Sequence, residues 1–119
     1  MSHTLPADHA ARLERAALAL TGLSVGDALG QTCFQDHHYE ALLDDPRATA
    51  RGPWPFTDDT AMALGIYEVL REFGRVDQDA LAKRFAARYR AQPWRGYGGG
   101  AHRLLEQIGN GIPWRAAAE

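Results

Sequence analysis

Apolar residues recur along this chain at the spacing of helix faces, and the two-residue alternation of strands is almost absent. Leu13, Ala17, Leu20 and Leu23 fall on one stripe and predict a first helix that fades at Gly26. Met62, Ile66, Val69, Leu70 and Phe73 form a second stripe, and Gly74 is placed to end that helix in the left-handed conformation. Asp77 offers a side-chain oxygen to the free amides of a third helix, whose face carries Leu81, Phe85 and Tyr89 beside Ala82 and Ala86 until Pro93 stops it. After Gly96-Tyr97-Gly98-Gly99-Gly100, the set Ala101, Leu104, Leu105 and Ile108 repeats the helical spacing, and Gly109-Asn110-Gly111 breaks it. A short last helix is expected to start at Pro113, where the missing N–H costs nothing. Gln31 to Phe56, with Pro46, Pro53 and Pro55, reads as one irregular segment, too long for an idle connector. The expected fold is all-α, an orthogonal helical bundle, with residues 1–119 as one partial domain.

Composition narrows the function classes. The chain has 119 residues, 45% of them hydrophobic, which is enough to build a core. Its 13 basic and 15 acidic residues are mixed along the sequence, so there is no basic stripe for a nucleic-acid backbone. The longest apolar stretch, Ala16 to Val25, is too short and too rich in small residues to cross a bilayer, and no membrane partner is expected. Met1-Ser2-His3-Thr4 carries no basic region followed by an apolar core, so no signal peptide is expected. Cys33 is the one cysteine, which excludes an internal disulfide and fits a reducing, cytoplasmic setting.

Chemistry concentrates in Trp54-Pro55-Phe56-Thr57-Asp58-Asp59-Thr60. Helix physics alone accounts for part of it: Thr57 as N-cap accepts from a first-turn amide, and Asp58 and Asp59 complement the positive end of the helix dipole. The same residues set a hydroxyl and adjacent carboxylates together, hard oxygen ligands suited to Mg²⁺. A cation would relieve the repulsion between neighbouring aspartates, which a cap leaves standing. The Trp-Pro-Phe lead-in is stiffer and more aromatic than a cap requires.

Gly22-Leu23-Ser24-Val25-Gly26-Asp27-Ala28-Leu29-Gly30, then Trp54 to Leu64, then Gly96-Tyr97-Gly98, then Gly111-Ile112-Pro113-Trp114 resemble, in order, successive motifs of the ADP-ribosylglycohydrolase family. The resemblance runs from about Leu13 to Glu119 and covers the N-terminal part of a family domain. It implies an all-α hydrolase that binds two Mg²⁺ ions and cleaves ADP-ribose from a modified side chain, often arginine or serine. By similarity Thr57, Asp58 and Asp59 supply the first half of the metal site, and Tyr97, Gly98 and Gly99 belong to the substrate site. The base has no assignment.

This sequence departs from the family pattern at three points. The late Asp-x-Asp-Thr-like metal element and the Gly-, Ser- and Asn-rich diphosphate loop have no counterpart, and Gln31-Thr32-Cys33-Phe34-Gln35 stands where many members carry a glutamate. The chain by itself is therefore expected to be weak or inactive, and to self-associate or to pair with a complementary C-terminal chain. A non-catalytic helical module for ligand binding or assembly is the alternative.

Other candidates read as structure. Asp27 between glycines either reaches the site or bonds backbone amides. Gly96 to Gly100 either presents amides to a phosphate at a helix start or forms a flexible helix entry with Tyr97 packing on its neighbours. Adjacent His37 and His38 lack a spaced partner for zinc. Cys33 near them lacks an orienting third group and reads as a buried thiol. His102 reads as a surface or helix-packing residue. Trp54, Trp94 and Trp114 read as core anchors first and adenine platforms second.

Overall fold

A computed structural model describes residues 4–34, 38–45, 47 and 52–119, with the side chain of His38 outside that set. Six helices are found among the described residues, and no strand: α1 (His9–Thr32), α2 (His38–Asp44), α3 (Asp58–Phe73), α4 (Gln78–Ala91), α5 (Gly99–Gly109) and α6 (Trp114–Ala117). The architecture is all-α.

Local rules set most boundaries. The Asp77 carboxylate accepts from the Ala80 amide at 3.0 Å and opens α4. Gly74 closes α3 at φ 66°, donating its N–H to Leu70 O, as a left-handed terminator should. The α4 helix ends at Ala91, ahead of Pro93, and α6 begins at Trp114 with Pro113 in the cap position.

Two expectations need correction. The first helix does not fade at Gly26 but continues through Gly30 to Thr32. Each glycine costs helix propensity, yet packing along α3 and the bonds of Asp27 hold the segment helical. The segment Gln31 to Phe56 is not irregular throughout, since α2 occupies His38–Asp44; its seven residues are under two turns, too few to show a period.

The helices pack in series, α1 along α3, α3 on α4, α4 on α5 and α5 on α6. The radius of gyration is 17.2 Å, against about 13–14 Å for a compact chain of this length. The core is correspondingly small. Ala61, Tyr97 and Leu105 form its buried centre, with Phe56, Met62, Phe85, Tyr89 and Ala101 packed around them. Leu18, Val25, Phe34 and Leu43 are exposed, so α1, the turn at Phe34 that follows it and α2 carry uncovered apolar surface. Trp94 is 70% exposed and is no core anchor, whereas Trp54 and Trp114 are half-buried. Between α3 and α4, Arg84 pairs with Glu68 and Glu72, and Arg88 with Glu68. No helix among the described residues is long and apolar enough to cross a membrane.

Candidate metal and substrate site

The start of α3 is built by residues far away in the sequence. Asp27, on α1, turns its carboxylate onto Thr57 and Thr60. Its Oδ2 accepts from the Thr57 amide at 2.8 Å, the Thr60 amide at 3.2 Å and the Thr60 hydroxyl at 2.6 Å. Its Oδ1 accepts from the Thr57 hydroxyl at 2.6 Å. Burial acts to raise the Asp27 pKa, but the hydroxyl and amide bonds from Thr57 and Thr60 outweigh it and hold the carboxyl below its ordinary range.

The capping expectation for Thr57 is thereby corrected. Thr57 occupies the N-cap position with extended backbone, but its side chain caps no amide. The acceptor for the Thr60 amide is Asp27, which lies opposite the helix start and reaches the amide first. Of the two readings open for Asp27, amide bonding is found, and the same carboxylate also meets the hydroxyl of the candidate residue Thr57.

From the other side, the loop after α4 closes on the same point. The Asp58 amide donates to Arg95 O at 2.7 Å. Arg95 donates from Nη1 to Phe56 O at 3.1 Å, stacks 3.8 Å over the Phe56 ring, and bonds Gln92 through Nε. Gly96 follows at φ 89°, close enough that a Cβ there would sit 3.8 Å from Asp58 Oδ1. The α3 start is thus clamped between α1 and this loop.

Thr57 is half-buried and Asp59 exposed, and both border an open cleft of about 670 Å³ between α1, α2 and α3. Thr57 also borders a second cleft lined by Phe56, Trp94 and Arg95. No hydrogen bond or ion pair of the Asp58 or Asp59 carboxylates is found among the described residues. Thr57 and Asp59 line the same cleft, whereas Asp58 lies toward Gly96; their hydroxyl and carboxylate oxygens suit a hard divalent cation in kind. They are a partial set: among the described residues no group of three or more His, Cys, Asp or Glu could hold a metal by itself.

Tyr97 lies differently from the two glycines with which it was grouped. Its ring is buried against Tyr89, centroids 5.2 Å apart and edge-on, with His102 tilted beside it. Burial raises the Tyr97 phenol above its ordinary pKa, and the Asp58 charge adds to that. Gly98 and Gly99 are exposed at the start of α5, where the first-turn amides have no partner within the helix. The His102 ring bonds the Tyr89 hydroxyl at 2.8 Å, so it packs helices together.

The remaining candidates contribute little here. Cys33 is half-buried, with Sγ 3.9 Å from Leu29 O. His37 and the side chain of His38, the imagined zinc pair, lie outside the described residues. Arg95 went unnoticed in the sequence, and no local signal marks it, because its partner Phe56 is 39 positions away.

The ADP-ribosylglycohydrolase family model matches residues 8–119. An ADP-ribosylhydrolase ARH3 of Xenopus tropicalis is 33% identical over 110 residues, covering 86% of this chain and 31% of that protein. ARH3 of Gallus gallus is 50% identical over 98 residues, covering 66% of this chain and 26% of the relative. The ADP-ribosylarginine hydrolase Tri1 of Pseudomonas putida is 35% identical over 83 residues, covering 66% and 22%. The chain thus spans under a third of the length of these relatives. No solved structure gives a significant match. By its matched residues, the order of its motifs and its all-helical build, this chain belongs to the ADP-ribosylglycohydrolase family.

Proposed function

We propose that this chain carries the first half of the Mg²⁺ site of a hydrolase that removes ADP-ribose from a modified protein side chain or a related ADP-ribosyl compound. The observation that carries this reading is the oxygen set at the start of α3: Asp27 and Arg95 satisfy amides there, and the Asp58 and Asp59 carboxylates, next to Thr57 in sequence, have no hydrogen-bond or ion-pair partner among the described residues. Divalent cations, if held there, would supply Lewis-acid polarisation and lower the pKa of a water. The chain's own residues do the rest of what can be assigned. Thr57, Asp58 and Asp59 hold and orient, the exposed amides of Gly98 and Gly99 suit a phosphate, and Tyr97 fixes their loop by packing. The names of the relatives support an ADP-ribosylated substrate.

The incomplete donor set supports a further part of the reading. Octahedral Mg²⁺ takes about six oxygens, so Thr57, Asp58 and Asp59 leave most places to water, and this polypeptide alone is weak or inactive. The exposed Leu18, Val25, Phe34 and Leu43 support assembly with a second copy or a complementary C-terminal chain. The lone Cys33 supports a cytoplasmic setting.

The same incompleteness favours a second reading, a helical binding or assembly module that has kept the scaffold without catalysis. Calorimetric titration of Mg²⁺ and then ADP-ribose into the wild type and Asp59→Ala separates the two. Binding that is lost in the variant supports the half-site; no binding to either protein leaves Asp58 and Asp59 as helix-start residues only.

A further inference from the structure

We propose that Asp27 is the positioning residue that turns the Thr57 hydroxyl into a cation ligand; the inference rests on the half-site reading above. An N-cap threonine ordinarily spends an oxygen lone pair on the third amide of its helix. Here Asp27 Oδ2 takes the Thr60 amide instead, and Thr57 Oγ1 is released from capping. Asp27 Oδ1 then fixes the hydroxyl proton. An ionised carboxylate only accepts, so across 2.6 Å the Thr57 O–H must donate to it. Both lone pairs of Thr57 Oγ1 are left facing away from the bond, and no other donor reaches them among the described residues.

A cap alone does not require this arrangement. Oδ2 by itself serves both helix amides, so the Oδ1 bond adds nothing to amide satisfaction and acts on the Thr57 hydroxyl alone. The Thr60 hydroxyl is bonded to the same carboxylate but is only 2% exposed, with no access for a ligand. Thr57 borders the cleft that Asp59 also lines. One carboxylate therefore plays the capping role for α3 and orients the hydroxyl that shares a cleft with the candidate ligand Asp59.

Asparagine at position 27 reverses one bond and keeps the rest. Its carbonyl oxygen can remain on the two amides, which places its NH₂ against Thr57 Oγ1, where it donates and consumes a lone pair. The test is Mn²⁺ binding followed by loss of the free-ion signal in electron paramagnetic resonance, for the full chain as wild type, Asp27→Asn, Thr57→Val and the double variant. Asp27→Asn is expected to weaken Mn²⁺ binding roughly 10–100-fold, the range for residues that orient metal ligands. In the Thr57→Val background the Asp27→Asn change should add little, because Asp27 acts through the hydroxyl.

Asp27→Asn binding Mn²⁺ as tightly as wild type overturns the proposal, and so does an equal loss in both backgrounds, which would mark Asp27 as a distant charge. Wild type failing to bind Mn²⁺ sinks the half-site reading and the proposal with it, an outcome distinct from a wild type that binds and a variant that does too. Should Asp27→Asn not fold, proton NMR of the wild type decides: a slowly exchanging Thr57 hydroxyl resonance that persists and shifts with Mg²⁺ supports the orientation, and a Thr57 hydroxyl that exchanges freely with water overturns it.

Discussion

Arg95 grips Phe56 in two ways, stacking its guanidinium 3.8 Å over the ring while Nη1 donates 3.1 Å to the Phe56 carbonyl. Phe56 immediately precedes Thr57, so this grip fixes the chain where it enters α3. Arg95→Ala is expected to cost about 2–4 kcal/mol, the sum of one cation–π contact and one charge-assisted hydrogen bond. Arg95→Lys should recover little, since an ammonium matches neither the flat stack nor the bond to Gln92. Urea unfolding of the three proteins checks both statements.

Tyr97 separates packing from ligand contact. Its ring is buried beside Ala61 and Leu105. Tyr97→Phe should therefore leave stability nearly unchanged, whereas Tyr97→Ala should cost about 3–4 kcal/mol as a core truncation. Loss of ADP-ribose binding in Tyr97→Phe, with the thermal midpoint retained, would instead show that the hydroxyl meets the ligand.

Glycine-to-alanine changes should have opposite signs at two positions. At Gly74, φ is 66° and an added Cβ would lie 2.5 Å from Pro6 Cδ, so Gly74→Ala should destabilise by about 1–2 kcal/mol from backbone strain, and further from the clash. At Gly22, inside α1, an added Cβ meets nothing within 4 Å, and Gly22→Ala should stabilise by up to about 1 kcal/mol. Thermal melts of both variants against wild type read the two signs directly.

Acid should release α6 before the rest of the molecule. Asp79 accepts from the Trp114 indole at 2.6 Å and from Arg115 at 3.3 Å, and the Trp114 bond, aided by Arg115, holds its carboxyl below the ordinary 3.8. A depressed folded-state pKa means the contribution is complete above the ordinary value and is lost as pH falls through the lowered one. The Trp114 indole resonance should move toward its solvent-exposed position in that acid window. In Asp79→Asn this pH-dependent step should vanish.

What could be read from the sequence was what short-range physics encodes. The α3, α4 and α5 helices announce themselves by apolar stripes, and Gly74, Asp77 and Pro93 mark ends by their own backbone chemistry. The α1 helix beyond Gly26 was hidden because its glycines argue against a helix that tertiary contact enforces. The α2 helix was hidden by brevity. At the candidate site, the Thr57-Asp58-Asp59 run of oxygen-bearing side chains is plain in the sequence, but the acceptor that relieves Thr57 of capping sits 30 positions upstream. No periodicity or cap rule links Asp27 to Thr57, nor Arg95 to Phe56. Such pairs arise from how helices are stacked, which local pattern does not report.

The series packing of the helices also bears on how often the site exists at all. Val69, the largest fully buried side chain among the described residues, sits in α3, and α1 lies at one end of the stack, held chiefly by α3 through Asp27 and through the His9 bond to Arg71 O. Opening free energies fall outward in such an arrangement, so amide protection should be greatest in α3 and α4 and fade along α1. Asp27 joins α1 to the start of α3, across the expected boundary between these two regions. Each time α1 lifts, Thr57 loses the acceptor that aims its hydroxyl, and the apparent affinity for any ligand there is reduced by the fraction of molecules in which α1 is docked.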